Sequence, residues 1–86
     1  MKEEQLNIHI VQLVRNYIVE NSFVKTSEFN NSALIFKEGI LDSMGFLKLI
    51  TFIENEFGFQ VIDNDLSEEN FESINAITEF IIRKTQ

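Results

Sequence analysis

The sequence contains no Cys, no Pro and no Trp, a single His and only three Gly. Without Cys there is no disulfide framework, no thiol nucleophile and no cysteine metal site. One imidazole, His9, cannot build a multi-histidine metal centre. The absence of Pro and the scarcity of Gly point away from a turn-rich β fold and toward helices. No apolar run nears the roughly 20 residues that cross a bilayer. The first ten residues carry Lys2, Glu3 and Glu4 in place of the apolar stretch of a secretory signal. The expectation is a cytoplasmic protein without a membrane span.

Basic residues are also few. Seven Lys and Arg face fourteen Asp and Glu, for a net charge of −7. The imbalance is concentrated late in the chain. Residues 1–41 hold five acids and four bases, net −1, and residues 42–86 hold nine acids and three bases, net −6. Such a surface repels a phosphate backbone, so nucleic acid is not expected as a partner. It favours partners that present Lys and Arg.

What the chain does have is apolar bulk at helical spacing. Its 86 residues suffice for one small domain, expected to span 1–86, and nine Phe supply much of its core volume. From Lys2 to Glu20, the residues Leu6, Ile10, Leu13, Val14 and Tyr17 share one face of a wheel, which predicts a first amphipathic helix. Residues 22–42 form a long connection. It mixes polar turn formers, Ser27 and Asn30 to Ser32, with an apolar patch at 33–36, and a loop of that length is expected to pack. A second helix is predicted from Ser43 to Phe57, closed by Gly58. On it Phe46, Leu49, Ile50, Ile53 and Phe57 turn one way, expected toward the core, and Met44, Lys48, Thr51, Phe52 and Asn55 turn the other. Ser67 to Glu69 can open a short helical turn. Ser73 reads as the N-cap of a last helix over 74–84, with Ile74, Ile77, Phe80 and Ile81 inward and Arg83 and Lys84 at its C-terminal end. The expected fold is all-α, a four-helix bundle of three main helices and one short one. Asp63-Asn64-Asp65 opens like a calcium loop, but Glu68 stands where that loop needs Gly and Ile74 where it needs Glu, so no metal site is expected.

The string Gly39-Ile40-Leu41-Asp42-Ser43-Met44-Gly45, followed by an amphipathic helix and Glu56-Phe57-Gly58-Phe59, is the most informative part of the sequence. It resembles the prosthetic-group attachment region of acyl and peptidyl carrier proteins, whose hallmark is Asp-Ser-Leu or Asp-Ser-Met at the start of the second helix. The resemblance runs over nearly the whole chain. A helix and a long loop precede Asp42-Ser43, Val61 follows the second helix, and Glu69 to Ile77 matches the run joining the family's short third helix to its fourth.

The resemblance implies that a phosphopantetheinyl transferase moves phosphopantetheine from coenzyme A onto the Ser43 hydroxyl. The thiol of that arm would hold acyl intermediates as thioesters. Asp42 would help present the serine, and its metal–phosphate partner, to the transferase. Acyl- or aminoacyl-loading and processing enzymes would be the other partners, the carrier itself being a non-catalytic monomer. The residues make chemical sense of this. A helix N-terminus offers unpaired N–H groups and a dipole that favour phosphate, and Gly45 is expected to leave space around it. Met44, Lys48, Thr51 and Phe52, beside the anchor, are the expected partner contacts.

Carriers of fatty acid synthesis usually show acids two and five positions after the serine, where this chain has Gly45 and Lys48. The Leu-Asp-Ser-Met-Gly string is also similar to discrete carriers, including D-alanyl and other stand-alone aminoacyl carriers loaded by an adenylating enzyme. A function of another class is a helical interaction module without a prosthetic group. An enzyme is the least supported reading, because no base is evident for Ser43 and His9 lies on the first helix.

Overall fold

The computed structural model describes residues 2–23 and 28–86, with side chains from residue 8 onward. The described chain is all-helical: α1 (Lys2–Asn21), α2 (Ser43–Phe57), a single 3-10 turn at Asp63–Asp65, the short α3 (Glu68–Phe71) and α4 (Ile74–Thr85), with no strand among the described residues. This is the small bundle of three main helices and one short helix that the sequence predicts. Its buried apolar residues form one cluster drawn from all four helices and the long loop. Among the described residues no helix is long and apolar enough to cross a membrane.

On α1 the strip Ile10, Val14 and Ile18 repeats every four residues and is buried. Leu13 and Tyr17, expected on this face, are half-buried on its flanks. Ile18, not singled out by the sequence pattern, takes the central place because it continues the 10–14 row by one turn. Leu6 and Ser27, named above, lie outside the described side chains. Asn21 and Ser22 end the helix by donating side-chain hydrogen bonds to carbonyls that the last turn leaves free, Asn21 Nδ2 to Tyr17 O (2.8 Å) and Ser22 Oγ to Val19 O (3.1 Å).

On α2 the fully buried residues are Leu49 and Ile53, while Phe46, Ile50 and Phe57 are half-buried. The inward face is therefore narrower than expected. Gly58 closes the helix in the left-handed region (φ 74°), donating its N–H to Glu54 O at 3.0 Å. The next stretch, Phe59 to Ile62, has no regular structure. On α4, Ser73 Oγ accepts from Ala76 N–H (3.1 Å), and Ile74, Ile77, Phe80 and Ile81 are buried. Arg83 and Lys84 lie in the last turn, where the helix dipole favours cations.

The long connection is built into the bundle. Ile35 is fully buried, and Ile40 and Leu41 almost so. Its backbone bonds run across the fold: Ile35 N–H to Glu72 O (2.8 Å), Ile40 N–H to Ile35 O (2.8 Å), and Asn75 N–H to Asn31 O (3.0 Å). Arg15 of α1 holds it from the other side, donating to Asn31 Oδ1 (2.8 Å) and Phe29 O (2.7 Å), with its guanidinium over the Phe29 ring. The loop thus delivers Asp42 and Ser43 from a platform tied to α1, the α3–α4 junction and the start of α4.

Candidate functional site

Ser43 is the first residue of α2, and its side chain is exposed. Asp42 is the N-cap. Its backbone is extended (φ −105°, ψ −171°), its Oδ1 accepts from Gly45 N–H at 2.8 Å, and its carbonyl accepts from Phe46 N–H at 2.9 Å. The Phe46 bond is the first of the helix's own ladder, and the Gly45 bond satisfies one of the four amides that a helix start leaves unpaired. The amides of Asp42, Ser43 and Met44 are the other three, and those of Ser43 and Met44 lie beside the serine hydroxyl at the positive end of the helix dipole. No described side chain hydrogen-bonds the Ser43 hydroxyl, and His9 is exposed on α1.

Gly45 also has a packing role that the sequence did not suggest. A Cβ there would sit 3.1 Å from Leu41 Cδ2 and 3.3 Å from Leu41 Cβ. Leu41 is 3% exposed. The missing side chain lets Leu41 pack closely beneath the helix start.

Beside Ser43 opens a cleft of about 720 Å³, within the usual range of small-molecule sites. Three segments line it. The loop contributes Phe23, Phe36 and Leu41, α2 contributes Phe46, and the segment at α3 contributes Leu66 and Phe71; Asp42, Ser43, Ser67 and Glu68 supply the polar lining. The wall at α3 is tied back to α4. Asp65 pairs with Lys84 (2.9 Å), and Arg83 donates to Asn70 Oδ1 (2.7 Å). The pKa of Asp65 is lowered, first by the Ile62 N–H that its carboxylate accepts (3.0 Å) and then by Lys84. Among the described residues, no group of three or more His, Cys, Asp or Glu is placed to hold a metal ion.

Of the expected partner contacts, Met44 (62% exposed), Lys48 and Thr51 lie open on α2 at helical spacing. Phe52 does not lie open with them. It is half-buried, its ring stacked on Tyr17 of α1 with centroids 4.2 Å apart and planes 17° from parallel. Its place on the outer side is taken by Leu47, 59% exposed, which sequence reasoning missed. The signal was there: 44, 47, 48 and 51 form one i, i+3, i+4, i+7 stripe. Leu47, Lys48, Thr51 and Asn55 border a second, shallower depression of about 580 Å³ against Tyr17 and Phe52.

No protein-family model matches the chain, and no curated protein does.

Proposed function

We propose that the chain is a covalent carrier, with phosphopantetheine attached to Ser43 and acyl or aminoacyl cargo held on that arm. One observation carries this reading: an exposed serine, with no base in contact among the described residues, begins a capped helix at the rim of an apolar cleft. A serine in that setting is suited to receive a group rather than to attack and release a substrate, since a hydrolytic nucleophile needs an adjacent base.

The residues present fit the group. Ser43 Oγ, exposed, would form the phosphate ester. The Ser43 and Met44 amides would face the phosphate oxygens, where unpaired N–H groups and the dipole favour negative charge. Asp42 holds the first turn through Gly45 N–H and so keeps the serine at the helix edge, open to a transferase. The buried Leu41 and the tied loop keep that edge rigid. The attached group supplies a flexible arm ending in a thiol, which bears cargo as a thioester. The Met44, Leu47, Lys48 and Thr51 stripe is the surface that any enzyme receiving the arm would approach.

The test is intact-mass analysis of the apo protein incubated with coenzyme A and a broad-specificity phosphopantetheinyl transferase. The reading expects one phosphopantetheine per chain, lost in Ser43→Ala. An unchanged mass would leave the helical interaction module as the better reading.

A further inference from the structure

We infer that the cleft beside Ser43 seats a ring-bearing acyl group that carries no negative charge. This rests on the carrier reading and narrows its cargo.

The cleft is lined by aromatic rings in a defined order. Phe36 meets Phe46 edge to face (centroids 5.5 Å apart, planes at 87°), and Phe46 meets Phe71 likewise (5.2 Å, 84°). Phe71 continues to Phe80 at 5.1 Å, inside the core. The series runs from the surface, where Phe36 is 36% exposed, to the interior, where Phe71 is 2% exposed. Its inner end is packed by protein, and its outer end stands in the cleft with ring surface uncovered. An aromatic ring placed there extends an edge-to-face series that the protein has already built. A straight alkyl chain of equal area gains burial alone, and the pairing geometry favours the ring by about two- to tenfold.

The polar lining sorts cargo by charge. Asp42 and Glu68 border the cleft, and no Lys or Arg is among its described lining residues. A carboxylate-bearing acyl group would meet like charge there. An ammonium-bearing aminoacyl group meets opposite charge there, and ring faces attract cations, so the lining does not exclude it. Cargo without a carboxylate meets no like charge. The volume of about 720 Å³ accommodates a ring together with part of the arm.

The transferase can be given acyl-coenzyme A in place of coenzyme A, so that cargo arrives on the intact chain without its own loading enzyme. Three forms are compared: 3-phenylpropanoyl, hexanoyl and malonyl. Mass spectrometry first reads attachment at Ser43; if it fails for every donor, the carrier reading falls and this inference with it. On loaded protein, two readouts follow: the rate of thioester cleavage by hydroxylamine, relative to the same coenzyme A thioester, and the amide shifts of Phe36, Leu66 and Phe71. The phenylpropanoyl form is expected to be protected about two- to tenfold better than the hexanoyl form, with its shifts centred on those three residues. The malonyl form should cleave like its free counterpart. Phe36→Leu keeps an apolar side chain but removes the outer ring that the cargo ring meets; with its helical circular dichroism intact, it should bring phenylpropanoyl protection down to the hexanoyl level. Successful loading with equal or better protection of hexanoyl, protection of the malonyl form, or a ring preference that survives Phe36→Leu would overturn the inference while leaving the carrier reading standing.

Discussion

Replacing Asp42 separates its work as a helix cap from its work as a charge. The Asp42 carboxylate accepts one hydrogen bond, from Gly45 N–H at 2.8 Å, and it is exposed, so water competes for both partners. Loss of an N-cap acceptor costs about 0.5–2 kcal/mol. The missing carboxylate also removes a favourable interaction with the helix dipole, about 0.3–1 kcal/mol at an exposed site. Because water can replace the carboxylate at Gly45, no penalty for an unsatisfied buried donor is added. Asp42→Ala is therefore expected to lose about 1–2 kcal/mol. Asp42→Asn keeps an acceptor of equal capping quality and should lose only the dipole part, below about 1 kcal/mol. In a domain of this size each kcal/mol moves Tm by roughly 4–8 °C. Thermal unfolding followed by circular dichroism at 222 nm should rank wild type above Asp42→Asn above Asp42→Ala. The carrier proposal adds a second axis, the rate of phosphopantetheine transfer at a temperature where all three are folded. If Asp42 presents the serine by its charge, Asp42→Asn is slowed although its Tm is nearly kept. Equal Tm losses for the two variants would refute the capping argument, and an unimpaired transfer rate in Asp42→Asn would refute the charge argument.

Leu49 is fully buried and Phe57 only half, so Leu49→Ala should cost about 2–5 kcal/mol and Phe57→Ala distinctly less in denaturant unfolding, despite the larger side chain removed; the reverse order would show that the inward face of α2 is misdrawn. The Asp65 pKa is depressed, so its contribution is fully present above the unfolded value near 4 and is lost as pH falls through the lower folded value. Asp65→Asn should accordingly flatten the acid limb of a stability–pH curve below about pH 4 and lower stability at neutral pH; an unchanged limb would remove Asp65 as its source. Lys48→Glu reverses the cation on the open stripe of α2, and under the carrier proposal it should slow loading by the cognate enzyme at low salt and speed loading by enzymes that expect an acid there. Unchanged rates for both would mean that Lys48 does not select partners.

Most of the helical skeleton was legible because its ends are chemical signals. Asp42 and Gly58 bracket α2, and Ser73 opens α4, each doing in the structure what its side chain, or lack of one, allows. The faces were legible to within one position. Ile18 and Leu47 were overlooked and Phe52 was placed outside, because a wheel gives directions but not neighbours. Phe52 is half-buried between Tyr17 of another helix and Phe57 of its own, neighbours a wheel does not show. The packing of the loop was readable from Ala33 to Phe36, but its partners were not: Arg15, Glu72 and Asn75 reach it across long sequence separations. The cleft was least legible. Its lining comes from three segments, each with an ordinary apolar pattern, and only their meeting beside Ser43 makes a site. Gly45 illustrates the same limit, since its reason is the side chain of Leu41 four residues earlier.

The carrier proposal stands or falls on Ser43. Apo protein treated with coenzyme A and a broad-specificity phosphopantetheinyl transferase, digested and mapped by tandem mass spectrometry, reads the claim residue by residue. The expected result is a single phosphopantetheine on the peptide containing Asp42-Ser43-Met44, assigned to Ser43 and absent from Ser43→Ala. No modification under conditions that modify a known carrier, or modification at Ser67 or Ser73 in its place, would contradict it.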